Sequence, residues 1–204
     1  MAIVSETKTY AGTGGVYGTG TTWYTTSNLS SADALVTSQA IIYLSSSRYL
    51  VGTNYGFSAV PAVSPIVGIV CKVKGYAQQS GLQISSVKMF SDGALAGSEL
   101  VSSPPVMQPG LTVHTFGSSS VCPVAGLMGA GVRDAGFGGC VRVYASSGPP
   151  ESNIVYVDYI ELTIYWDDSY VPPAPAPVSQ PIPSRMPGRL PEGIPLRVPL
   201  GCIL

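Results

Sequence analysis

The sequence predicts an all-β fold, an antiparallel β-sandwich of about eight strands and jelly-roll-like, followed by an extended proline-rich C-terminal tail. Three observations predict it. Runs rich in β-branched and aromatic residues recur at short spacing, and turn residues separate them. Helical periodicity is scarce, and the lack of 10–15-residue helices between the strands argues against a βαβ architecture. Finally, of the 204 residues 45% are hydrophobic and only 10% charged, with 24 glycines and 18 prolines, a balance that can bury a core and is rich in turns.

The N-terminal stretch, residues 1–39, reads as an arm with the first strands. Thr21–Thr25 is a weak strand candidate. Ser30–Ser38 is the one plausible helix, with Ser30 or Ser31 as cap and Asp33 in its first turn. Ala40–Leu44 is a second weak strand. Ile66–Tyr76 is a clear one, with Val67, Ile69, Cys71 and Val73 expected on the inner face and Lys72 and Lys74 on the outer. Leu82–Phe90 and Phe137–Tyr144 follow the same logic, the latter with Val141 and Val143 inward and Arg142 outward, while Leu111–Phe116 is weaker. Gln79-Ser80-Gly81, Asp92-Gly93, Pro104-Pro105, Pro109-Gly110 and Gly148-Pro149-Pro150 supply turns.

The strongest strand is Ile154–Trp166. From Tyr159 it alternates, which puts Ile160, Leu162 and Ile164 on one face and Tyr159, Glu161, Thr163 and Tyr165 on the other. Asp158 would then share the inner face unless a bulge intervenes, so it needs an edge or a hydrogen-bond partner. The domain is read as residues 1–168, and the arm as 169–204, which holds 10 of the 18 prolines. From Pro183 the prolines recur at 187, 191, 195 and 199, which forbids helix and central strand and favours an extended backbone. Ile182, Met186, Leu190, Ile194, Leu196, Val198, Leu200, Ile203 and Leu204 give this arm apolar anchors, so it reads as a strap that binds a partner surface.

Chemistry-bearing motifs are few. The 10 basic and 11 acidic residues give a net charge of −1, and nucleic-acid binding is not expected. No stretch offers some 20 consecutive apolar residues, so no membrane helix is expected. Glu6 and Lys8 occupy the place of an apolar leader, so export by a signal peptide is not expected either. The four cysteines, Cys71, Cys122, Cys140 and Cys202, lack paired zinc-ligand spacing and read as reduced thiols. His114 is the only histidine and no GxSxG elbow surrounds a serine, which argues against a hydrolase triad. Asp158, Glu161, Asp167 and Asp168 are the carboxylates that could serve a glycosidase, although Glu161 faces outward and the last two follow the strand end. The glycine-rich stretches 12–15 and 18–20 lack a P-loop lysine. Lys72, Lys74, Lys88 and Arg142 could line one outer sheet face. No catalytic residue, cofactor site or metal site is assigned, and the chain is not read as an enzyme. The 12 tyrosines and two tryptophans are the exception to this poverty, with Tyr159 and Tyr165 as exposed aromatic contacts for a sugar or a protein.

The closing strand, Tyr156-Val157-Asp158-Tyr159-Ile160-Glu161-Leu162-Thr163-Ile164-Tyr165, resembles that of β-sandwich virion proteins of tailed bacteriophages. Thr53-Asn54-Tyr55-Gly56-Phe57, Ile66-Val67-Gly68-Ile69, Lys72-Val73-Lys74, Ser85–Met89 and Thr115-Phe116-Gly117 are similar as well, so the resemblance covers residues 40–166. Ser118-Ser119-Ser120 departs from the tryptophan-glycine of that pattern, and the proline-rich arm is an addition to it. The resemblance implies a virion structural protein made in the host cytoplasm, most simply a capsid decoration or cement protein. It would act in viral assembly as a homo-oligomer, a trimer favoured, with major capsid or other virion proteins as partners of the strap. The alternatives are a tail- or fibre-associated adaptor and a host-glycan-binding module.

Overall fold

The computed structural model describes residues 2–10, 14–30, 36–41, 44–146 and 153–173. By internal contacts the chain divides into two units, Met1–Pro172 and Pro173–Leu204. The described part of the first holds ten strands: β1 (Ile3–Thr9), β2 (Gly15–Tyr17), β3 (Thr37–Ile41), β4 (Tyr49–Thr53), β5 (Ile66–Ala77), β6 (Leu82–Ser91), β7 (Ala94–Ala96), β8 (Thr112–Ser118), β9 (Gly138–Ala145) and β10 (Asn153–Asp167). They form two five-stranded antiparallel sheets, so the all-β, jelly-roll-like sandwich is the fold of this chain.

Sheet A is organised around β10, which is long enough to take two partners end to end on one side. Its first half pairs with β3 (Val157 opposite Thr37) and its second with β1 (Thr163 opposite Thr7). On its other side lies β5, and β8 closes the sheet as an edge. Sheet B runs β2-β4-β9-β6-β7. The core lies between the sheets, where alternate residues of the long strands meet: Val155, Val157, Ile160, Leu162 and Ile164 of β10, Ile69, Cys71 and Val73 of β5, and Leu82, Ile84, Val87, Met89, Val141 and Val143 of β6 and β9 are all buried. Each such side chain contributes about 1.5–3 kcal/mol by leaving water.

The bulge anticipated in the last strand is present. The β10–β5 register shifts between Val157 and Tyr159, so Asp158 is the extra residue and Tyr156 returns to the outer face. The Asp92-Gly93 turn is a two-residue hairpin loop between β6 and β7, both residues at positive φ (53° and 76°), as a primed turn requires.

Several expectations are corrected. The described residues of 30–38 are not helical: a short 3-10 turn covers Thr26–Ser30, and Thr37 and Ser38 belong to β3, while residues 31–35, Ser31 and Asp33 among them, lie outside the described residues. Thr37 and Gln39 alternate inward and are buried, and pairing to β10 overrides the local cap signal. For the same reason the strand expected at Ala40–Leu44 starts earlier, and Leu44 has a φ of 57°. Thr21–Thr25 makes only isolated bridges, Thr21 to Ser47 and Tyr24 to Ser38. Val67 is half-buried and not an inner-face residue, because a second register shift between Tyr165 and Trp166 lies opposite it. Glu6 and Lys8 sit in β1, 3.2 Å apart, and the Glu6 carboxylate also accepts the Ser58 and Ala59 backbone N–H groups.

Candidate functional site

The outer face of sheet A gathers Tyr159 and Tyr165, the aromatic contacts expected from the sequence, with Tyr76 and Tyr156, which it left unassigned. Reading the register across β10 and β5, Tyr156 lies opposite Tyr76, Tyr159 opposite Lys74, Glu161 opposite Lys72, Thr163 opposite Val70 and Tyr165 opposite Gly68. The column from Tyr156 to Tyr165 is roughly 30 Å long at ~3.3 Å per residue. Tyr76 and Tyr156 stack at 4.5 Å between ring centroids and 12° between planes. Burial raises the Tyr76 phenol above its ordinary pKa, with the neighbouring Tyr156 adding to it, so the hydroxyl stays protonated and keeps its donor.

The charges on this face neutralise one another. Lys72 Nζ lies 2.8 Å from Glu161 Oε1, and the hydrogen bond to that carboxylate raises the lysine pKa. Lys74 Nζ lies 2.9 Å from Asp158 Oδ2 and 5.5 Å from the centre of the Tyr159 ring, and its pKa is likewise raised by the bond to Asp158. Asp158 is fully buried and neither carboxylate oxygen has a partner of full hydrogen-bond geometry, so the ion pair to Lys74 is its only described compensation. Thr7 and Thr163 share a hydroxyl–hydroxyl bond of 2.9 Å, which leaves lone pairs and a donor at the same surface.

Tyr159 and Tyr165 thus lie on the outward side as alternation required, half-buried among their neighbours. The Tyr76–Tyr156 stack went unassigned because its phase depends on the Asp158 bulge. Lys88 and Arg142 do not join Lys72 and Lys74 on one face. They lie on sheet B, where the Arg142 guanidinium sits 5.7 Å from the centre of the Tyr49 ring and donates through Nε to the Ser47 carbonyl.

The remaining candidates carry structural bonds. His114 Nε2 is 3.2 Å from Thr112 Oγ1, and burial lowers its pKa, so the ring is neutral at pH 7. Asp167 accepts from Ser169 Oγ and N, and the hydroxyl bond in particular holds its carboxyl below the ordinary range. Gly18 and Gly20 are turn residues at positive φ. Cys71, Cys122 and Cys140 are free thiols. Burial drives Cys71 far above an ordinary thiol and pushes Cys140 up to about 12, so neither is a nucleophile at neutral pH. Cys202 and the strap residues Ile182 to Leu204 lie outside the described residues. Among the described residues no group of three or more His, Cys, Asp or Glu is placed to hold a metal, and no helix is long and apolar enough to cross a membrane.

No protein-family model matches this chain, and no curated protein does. Among solved structures it is similar to the N-terminal cellulose-binding domain of Cellulomonas fimi β-1,4-glucanase C, at 14% identity and a TM-score of 0.36 over 75% of this chain and 95% of that one. It is also similar to a family 29 carbohydrate-binding module of Piromyces equi (10% identity, TM-score 0.36, 80% and 91% covered). A structure described as "CBM4 structure and function" aligns at 11% identity and a TM-score of 0.34, with 76% and 92% covered. These figures transfer no function, so the reading below rests on the site itself.

They do correct the expectation taken from the strand motifs. The structures that align are described as carbohydrate-binding modules and not as phage virion proteins, so the virion, decoration and cement reading is withdrawn. Its capsid and virion partners, its trimeric homo-oligomer and its virion localisation go with it. The physical reason is that the quoted motifs describe alternation around a bulge and basic residues on an outer face, features that any sandwich with a long closing strand can share.

Proposed function

We propose that the sandwich is a non-catalytic carbohydrate-binding module whose ligand lies on the outer face of sheet A. The observation that carries this reading is the Tyr76–Tyr156 stack with Tyr159 and Tyr165 on a face whose lysines are each tied to a carboxylate. A sugar ring presents a flat patch of C–H groups rimmed by hydroxyls. Aromatic faces suit the patch, and fixed, mutually neutralised polar groups suit the rim. Free charges would demand a charged ligand, and this face has paired ones.

The test is affinity electrophoresis of the full chain against immobilised neutral polysaccharides (β-glucan, xylan, mannan), with Tyr76→Ala, Tyr156→Ala and Tyr159→Ala compared with the parent. Retardation by at least one polymer, weakened about tenfold per ring removed, is the expected result. No retardation by any of them, or retardation indifferent to all three substitutions, overturns the proposal.

A further inference from the structure

Beside the tyrosine face, a cleft of about 750 Å³ opens between the β8 edge of sheet A and residues 98–105, which run along the edge of β6 in sheet B. That volume is within the range of small-molecule sites. Phe116 and Leu100 form its apolar wall, and Ser98, Ser102, Ser103 and Ser118 contribute hydroxyls. Neither of its titratable groups offers a free charge. The Glu99 carboxylate is occupied by Ser86 Oγ and by the backbone N–H groups of Val87, Leu100 and Val101. The His114 imidazole is bonded to Thr112 and kept neutral by burial.

The cleft is continuous with the face through two residues. Val113 pairs with Lys74 and Thr115 with Lys72, so the rows Tyr159–Lys74–Val113 and Glu161–Lys72–Thr115 run straight across β10, β5 and β8 to the cleft wall. Being an edge strand, β8 also has backbone groups to spare. Ile69 and Ala77 of β5 donate toward the β8 side, to Val121 and Gln108. Alternation then commits His114 and Phe116 to β5 and turns the N–H and C=O of Val113 and Thr115 to the open side.

We infer that this cleft is the end-binding part of the saccharide site: a chain lying on the tyrosine face crosses β10, β5 and β8 and places its uncharged terminal ring against Phe116. This rests on the carbohydrate reading and adds a direction and an end to it. The open backbone groups of β8 and the serine hydroxyls meet the ring's hydroxyls, and the absence of a free charge in the cleft selects against uronate or sulfated ends, whose desolvation nothing there would offset.

The test is amide NMR of the full chain titrated with cellohexaose, xylohexaose and mannohexaose and with the corresponding trisaccharides. A hexasaccharide that binds shifts the amides of Tyr156, Tyr159 and Lys74 together with those of Ser102, Ser103 and His114. Ser103→Trp, an exposed position that the new ring would use to fill the cleft, weakens hexasaccharide binding at least tenfold and leaves trisaccharide binding on the face unchanged. Tyr159→Ala weakens both. Shifts confined to the tyrosine face, or a Ser103→Trp variant that binds the hexasaccharide as the parent does, overturn the end site and leave the face intact. If no probe moves either set of amides, the carbohydrate reading falls and the end site with it.

Discussion

Both sheets turn aromatic side chains outward, yet the two faces are built on different electrostatics. On sheet A, Tyr76, Tyr156, Tyr159 and Tyr165 share the surface with two lysines that each hold a carboxylate. On sheet B, Tyr17 meets Phe90 edge-on at 5.4 Å, and Tyr49 spends its ring on Arg142 and its hydroxyl on Ser86, 2.9 Å away. Arg142 and Lys88 have no carboxylate partner within ion-pair distance among the described residues. The difference teaches that aromatic count alone does not define a binding face. On sheet B the cation near the rings has no carboxylate and rests on Tyr49, while on sheet A both lysines are held by carboxylates, Lys74 over the Tyr159 ring as well, and the outer side of the Tyr76–Tyr156 stack and Tyr165 are left to a ligand.

The largest effect should therefore fall on one side only. Replacing both Tyr76 and Tyr156 by Ala should weaken polysaccharide retention about a hundredfold, at roughly tenfold per ring. Replacing Tyr17 and Phe90 by Ala should change it less than about twofold, since a tenfold change needs ~1.4 kcal/mol at the site. Equal losses in the two double variants, measured by affinity electrophoresis, would erase the contrast between the faces.

Next comes the pair beneath the sheet A tyrosines. Asp158 has no exposure, whereas the Lys74 side chain retains 25% of its own. Removing the lysine strands a buried carboxylate, but removing the charge on Asp158 leaves a lysine that can reach water. Lys74→Met should lower the urea midpoint more than Asp158→Asn, and the two together should cost less than the sum of the singles. A larger loss from Asp158→Asn would mean that the carboxylate makes structural bonds beyond its lysine.

The same residue explains how much of this face was legible in the sequence. Counting back from Tyr159 in strict alternation puts Tyr156 inside, and only an extra residue at Asp158 returns it to the surface. A buried aspartate in a strand signals that something irregular happens, but not that two tyrosines will stack because of it. The long strands β5, β6, β9 and β10 were readable because their alternation persists over many residues. β2 and β7 have three residues each, and β1 and β4 take their register from longer neighbours, so their local patterns specify little. The cleft was invisible for a similar reason: it lies between the edges of two sheets, and no local pattern brings Ser103 near His114.

Alkaline titration separates the buried thiols from the surface lysines more gently. Burial raises the Cys140 thiol from 9.0 to about 12, so the native state holds a proton that the unfolded chain releases. Stability from this group is complete below about pH 9 and is lost as pH rises toward 12. Lys72 and Lys74, raised by their hydrogen bonds to Glu161 and Asp158, act in the same direction, but only above the ordinary lysine value near 10.4. Cys140→Ala should thus reduce the fall in urea midpoint between about pH 9 and 10, a window in which Lys72→Met leaves the fall unchanged. If the fall begins only above ~10.4 in the parent, the thiols carry none of it.

The smallest effect tests whether Arg142 is spoken for. A cation over an exposed ring is worth about 0.5–1 kcal/mol, and Arg142→Met removes that together with the hydrogen bond to Ser47. Tyr49→Leu removes the ring from the same contact and, with it, the hydroxyl on Ser86. A double-mutant cycle on these two, read by urea unfolding, should return a coupling of about 0.5–1 kcal/mol. Polysaccharide retention should be unaffected by either substitution. Should the coupling vanish while retention weakens, Arg142 would be a free cation serving a ligand, and sheet B rather than sheet A would be the face to examine.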